Sequence, residues 1–223
     1  MTDFDALPLA DPSDMIELHR VFRNCFSQSS SLVGSIAGSS QRAQVVASYY
    51  SNVTRLLRVH HEGEDVLVTP KLLARNPDQV DLIERIASQH TALIAVIDRA
   101  ERRLAAWRSD FDRSAQVELI HALEHLDAEL TVHLDAEEAE ILPIAGRCMN
   151  VAEWGELPSH GMQNFDGDKQ WLVLGLIREQ LSAEHRAAMD ANMPPPAVAM
   201  WANIGQTMYT DFMERLHEPT YQP

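Results

Sequence analysis

One stretch of this chain occurs twice. Residues 60–70 read H-H-E-G-E-D-V-L-V-T-P and residues 133–143 read H-L-D-A-E-E-A-E-I-L-P. In each copy a histidine is followed four residues later by a glutamate (His60 and Glu64, His133 and Glu137), then by a second acid (Asp65, Glu138) and by a proline ten residues after the histidine. Side chains four apart on a helix stack on one face, so each copy presents an imidazole and a carboxylate together. That is half of a metal site. A single HxxxE is ordinarily an exposed polar pair, but two copies with matched tails point to a shared role.

The repeat extends upstream. His19 lies 41 residues before His60, and His90 lies 43 before His133, so the halves are offset by 71 and 73 residues. Self-similarity at a fixed period implies two copies of one helix pair. It predicts four helices supplying His19, His60 with Glu64, His90, and His133 with Glu137 to one shared centre.

Helical periodicity supports the placement. Helix one follows Asp11-Pro12-Ser13-Asp14, a cap and an early proline, and is predicted to run to Gly34 or Gly38 with Met15, Ile16, His19, Phe22 and Phe26 on its apolar face. Residues 34–40 read as a turn. Helix two, about 41–73, carries Tyr49, Val53, Leu56, His60, Glu64 and Leu67 on one face. Arg75-Asn76-Pro77-Asp78 breaks the chain. Helix three, about 78–108, has His90 as the polar member of a stripe of Ile83, Ile86, Ala87, Leu93, Ile94 and Ile97. Helix four, about 114–145, places Glu137 in a stripe of Leu119, Ala122, Leu123, Leu126, Leu130, His133, Leu134 and Ile141. A glutamate there is tolerated only if it is paired or bound to a cation. Pro70 and Pro143 are expected to kink or end their helices just past these acids.

The other histidines are expected outside the site. His61 is one residue round the helix from His60 and is predicted to point elsewhere; His121 and His125 lie off their stripe, and His160 and His185 belong to the C-terminal third. From about residue 147 the character changes, with helical segments at 151–163, 168–190 and 197–217. Trp171, Leu174 and Leu181 in one, and Val198, Trp201, Met208 and Phe212 in another, are predicted docking faces. The division expected is 1–146 for the metal-binding unit and 147–223 for an extension packed on it.

Composition excludes several classes. A net charge of −15 speaks against nucleic acid and anionic membrane surfaces. No apolar run reaches the roughly 20 residues needed to span a bilayer, and the acidic start lacks the pattern of a targeting signal. Two cysteines, Cys25 and Cys148, form no disulfide framework and fit a reducing cytoplasm. No glycine-rich phosphate loop, nucleophile elbow or CxxC pair is present.

Four histidines and two carboxylates without thiolate suit iron, with manganese or zinc as alternatives. If both glutamates bridge, each of two metals receives two histidines, and both keep an open position for oxygen, peroxide or nitric oxide. These residues resemble the hemerythrin-like, or HHE cation-binding, domains over about residues 12–146, carried by His19, His60, Glu64, His90, His133 and Glu137. The resemblance implies an all-α, up-down four-helix bundle with a non-haem di-iron centre, in proteins that carry, store or sense oxygen or iron or that process peroxide or nitric oxide. In the oxygen-carrying hemerythrins the third helix supplies two histidines four apart, whereas Ile86 and Ile94 flank His90 here. Those carriers also use an aspartate where this chain has Glu137. Both departures point away from reversible oxygen carriage and towards redox turnover, with an iron- or oxygen-sensing, storage or carrier module as the alternative.

Overall fold

A computed structural model describes residues 7–36 and 39–218; the acidic start before residue 7 and the alternative helix end at Gly38 lie outside the described residues. The fold is all-α, with more helices than the four expected for the metal-binding unit, because three of the four long segments are subdivided. Helix α1 (Ser13–Ser27) opens after Pro12, where Asp11 accepts a hydrogen bond from the Ser13 N–H, and a break at Gln28 separates it from α2 (Ser29–Gly34). Helix α3 (Ser40–Gly63) is capped by the Ser39 side chain. It passes into a π-helical turn, Glu64–Val68, and then α4 (Thr69–Arg75). Helix α5 (Val80–Asp110) stops at Phe111, whose φ of 56° puts it in the left-handed region. Asp112 then caps α6 (Arg113–Ala136), which passes through a second π turn, Glu137–Ile141, into α7 (Leu142–Cys148).

The repeat is therefore structural as well as sequential. Each copy ends its long helix on the metal-type glutamate, inserts a π turn, and restarts on a segment whose second residue is Pro70 or Pro143. A proline inside an α-helix lacks an N–H and clashes with the carbonyl four residues back. The wider π turn, in which Thr69 N–H reaches Glu64 O and Leu142 N–H reaches Glu137 O, lets the helix continue past it. The expected kink or stop is thus replaced by a widened turn. It also brings Val68 rather than Leu67 into the core, since Val68 is buried and Leu67 half-buried.

Helices α1, α3, α5 and α6 touch in a closed ring: α1 with α3, α3 with α5, α5 with α6, and α6 with α1. Their interior is layered. One apolar cluster includes Phe22, Leu57, Leu93 and Leu134, and a second includes Met15, Val68, Ile86 and Ile141. The histidines of the repeat, one on each of the four helices, and the glutamates that open the two π turns lie between these residues, a polar layer between two apolar ones.

The C-terminal third forms helices α8 (Val151–Trp154), α9 (Glu156–Asn164), α10 (Gln170–Gln180), α11 (Ala183–Asn192), α12 (Pro195–Met200) and α13 (Gln206–His217), of which α9, α10 and α13 pack on α1 or α3. The continuous helix expected over 168–190 is broken at Leu181, because the Ser182 hydroxyl caps α11 by accepting from His185 N–H. The docking face of this segment keeps the expected Trp171, packed on Phe212, and the buried Leu181, and adds Leu172, Val173, Gly175 and Leu176, while Val198 and Met208 of the last segment are exposed. Gly175 lets α13 approach, since a Cβ there would lie 2.2 Å from Tyr209. Phe165, Leu172, Leu176, Phe212 and Leu216 join the same apolar cluster as Phe26 and Tyr49.

Arg75 fastens α8 to the end of α4, donating 2.6 and 2.8 Å hydrogen bonds to the two Glu153 oxygens, and Glu153 also accepts from the Asn150 N–H. The guanidinium holds the Glu153 carboxyl at about 2, against 4.5 for a free one. A depressed carboxyl contributes stability that is complete above its unfolded pKa and is lost as pH falls towards the folded value. Glu153→Gln is expected to lower unfolding free energy at pH 7 by roughly 2 kcal/mol. The gap to the parent should close between pH 5 and 2 in urea melts; a gap that persists at pH 2 would assign it to packing instead.

Candidate metal centre

The ring of helices brings His19, His60, Glu64, His90, His133 and Glu137 together, all of them buried. His60 Nε2 is 3.2 Å from Glu64 Oε1, and His90 Nε2 is 3.6 Å from Glu64 Oε2. Glu137 Oε2 lies 3.6 Å from His19 Nε2 and 3.5 Å from His133 Nε2. Each glutamate thus stands between histidines of opposite halves of the repeat.

His61 corrects the sequence-based expectation. It does not point away: it is 1% exposed, and its ring centroid is 4.7 Å from that of His90 and 5.1 Å from that of His133. Adjacent helical residues diverge by about 100°, and α3 has a neighbour on either side. His60 turns to His19 on α1, with centroids 5.3 Å apart, while His61 turns to α5 and α6. Two donor groups result, His19, His60, Glu64, Glu137 and His61, Glu64, His90, His133, each offering one atom per residue within 4.8 Å of the others. The centre therefore has a two-histidine half and a three-histidine half, with Glu64 in both.

A signal for His61 was present in the doublet itself. The first copy reads His60-His61 where the second reads His133-Leu134, and Leu134 is fully buried, so the position faces inward in both copies. The remaining histidines stay outside both groups. His121 is exposed, and His125 pairs with Glu129 at 3.7 Å on the surface, an ordinary HxxxE. His185 Nδ1 is 2.8 Å from Glu17, and the half-buried His160 rests against Gly63.

The arrangement is poorly satisfied without a cation. The Nε2 atoms of His19, His60, His90 and His133, both ring nitrogens of His61, both oxygens of Glu64 and Oε2 of Glu137 are buried with no hydrogen-bond partner. Such atoms are rare in folded proteins, and each carries a desolvation penalty. Burial holds His60 and His61 well below the usual imidazole range and His133 at about 3, with the neighbouring imidazoles adding to the effect. Neutral imidazole is the form that ligates metal. Burial, and then the Glu137 carboxylate beside it, pushes the Glu64 carboxyl well above its ordinary value. A cation among these atoms removes the penalty, so the donors fit the metal pair inferred from the sequence.

The outward ring nitrogens are held. His19 Nδ1 is 2.9 Å from Glu138 Oε1, His90 Nδ1 is 2.7 Å from Asp65 Oδ1, and His133 Nδ1 is 3.0 Å from Gln89 Oε1. Beside the cluster, a cavity of about 10 Å³ is bounded by Glu64, Glu137 and His90 and by the apolar Val68, Leu72, Ile83, Ile86 and Ile141. It is about large enough for one water-sized molecule.

Cys25 and Cys148 are both free, and burial lifts the Cys25 thiol to about 12, so it behaves as a packed apolar residue. Among the described residues no helix is long and apolar enough to cross a membrane. No curated protein and no solved structure matches the chain. The hemerythrin HHE cation binding domain matches residues 12–145, the span that contains every member of the cluster, and the chain belongs to that family.

Proposed function

We propose that residues 1–146 form an up-down four-helix bundle holding two iron ions, and that residues 147–223 are an extension covering it. The proposed ligands are His19 and His60 for one ion and His61, His90 and His133 for the other, with Glu64 and Glu137 shared. The observation that carries this reading is the convergence of seven buried residues, with nine unpartnered donor atoms between them, into two overlapping groups. Manganese and zinc are compatible with the same donors. A bound iron pair would supply electrons and Lewis acidity; the chain supplies the rest. Neutral imidazoles and two carboxylates hold the ions, Asp65, Gln89 and Glu138 fix ring orientation, and the apolar layers exclude bulk water.

The cavity beside Glu64 and Glu137, at about 10 Å³, has room for one water-sized molecule and none for an organic one, which supports a small inorganic substrate such as oxygen, peroxide or nitric oxide. Carriage or sensing is favoured as a second reading by one finding. With His61 included, the halves are unequal, so the premise of two equally open metals, which pointed towards redox turnover, no longer holds. Protein grown with adequate iron should hold about two ions per chain by metal analysis, as the two donor groups require. A single zinc per chain and no iron would refute the iron pair. Rapid mixing of reduced protein with oxygen then separates the readings: a spectral change that reverses under vacuum assigns carriage or sensing, and repeated consumption of added peroxide assigns redox turnover.

A further inference from the structure

We infer that Asp65 and Glu138 are positioning residues that make the halves of the centre unequal, so that the half built on His61, His90 and His133 takes up a divalent metal before, and more tightly than, the half built on His19 and His60. This rests on the dinuclear reading above.

Each acid follows the shared glutamate of its own repeat and reaches across to a histidine on another helix. Asp65, in the π turn after α3, meets His90 Nδ1 on α5 at 2.7 Å; Glu138, in the π turn after α6, meets His19 Nδ1 on α1 at 2.9 Å. A carboxylate there accepts the Nδ1 proton, which leaves Nε2 bare and directed inward and makes the ring a stronger donor. The matched second acid of the repeat therefore has a physical role in both copies.

The two contacts differ in charge. Glu138 Oε1, the oxygen that meets His19, also accepts a 3.1 Å hydrogen bond from Arg23 Nη2, which in turn bonds Asp135 at 2.8 Å. Its negative charge is divided between an imidazole and a guanidinium. Among the described residues no lysine or arginine pairs with Asp65, so its carboxylate, 40% exposed, meets His90 with no fixed cation to offset it. The half that Asp65 supports also has three imidazoles against two, and late first-row divalent metals bind nitrogen donors more tightly. The Asp65 charge and the larger imidazole share, three of four donors against two of four, act in the same direction.

The test is anaerobic titration of the metal-free full chain with cobalt(II) and with zinc(II), followed by calorimetry and by cobalt visible absorption. The parent chain should show two resolved steps. Asp65→Asn should weaken the first step alone by about 10- to 100-fold, and Glu138→Gln the second alone by a smaller factor, because Arg23 already offsets its charge. Melting of the metal-free variants should match the parent, and the zinc-loaded parent should show His90 protonated at Nδ1 by nitrogen-proton correlation. Two ions entering with one affinity, or both variants weakening the same step equally, would overturn the inference. A parent chain that binds neither ion would instead remove the dinuclear reading beneath it.

Discussion

His61→Leu is expected to bring the metal content down from about two ions per chain to about one, the loss of a metal-coupled half-site. Leucine is the residue that the second repeat carries at the matching position, where Leu134 is fully buried, so the shape is one that this interior already accommodates. The substitution removes an imidazole whose two nitrogens have no partner. The metal-free protein should therefore gain roughly 1–3 kcal/mol even as metal is lost. His125→Leu, on the exposed HxxxE with Glu129, should leave both ions in place. The measurement is metal analysis after iron-replete growth, with circular dichroism to show that the helices persist. Two ions retained in His61→Leu would make His61 a bystander and return the centre to six ligands.

The sequence was most legible where position along a helix decides the outcome. Residues four apart share a face, and this placed His19, His60, Glu64, His90, His133 and Glu137 in one buried layer. The same rule hid His61, because a helical wheel assumes one buried stripe, whereas α3 touches both α1 and α5 and buries two. The π turns were marked by Pro70 and Pro143, but a proline alone reads as a stop. What made it a passage is the widened turn before it, which shows only in the backbone hydrogen bonds. Asp65 and Glu138 were visible as a repeated pattern, yet their partners His90 and His19 lie on other helices, and nothing along the chain specifies that crossing. The C-terminal third was least legible: Ser182 interrupts a run of good helix formers, and Glu17, 165 residues away, accepts from its N–H.

Replacing Glu64 by leucine should reverse the order of stability between loaded and metal-free protein. Glu64 offers one oxygen to His60 and the other to His90, so its loss should empty both halves, where His61→Leu empties one. In the metal-free chain Glu64 is a buried carboxyl with both oxygens unpartnered, and burial raises its pKa well above the ordinary carboxylate range. The sign follows from linkage: a raised carboxyl contributes stability below its unfolded pKa and loses it as pH climbs through the folded value. At neutral pH the residue thus weakens the metal-free fold, and Glu64→Leu should strengthen that fold by roughly 1–4 kcal/mol. With metal in excess the order inverts, since a ligand at a thousand times its dissociation constant adds about 4 kcal/mol to the parent and nothing to a variant that cannot bind. The same proton competes with metal, so the parent's affinity should fall as pH is lowered. The depressed His60, His61 and His133 remain neutral there and do not compete. Urea melts of parent and variant, with chelator and then with zinc, measure both orders. A variant less stable than the parent under chelator would mean that Glu64 supports the fold in its own right, and one that still gains stability from zinc would mean that it is not the shared ligand.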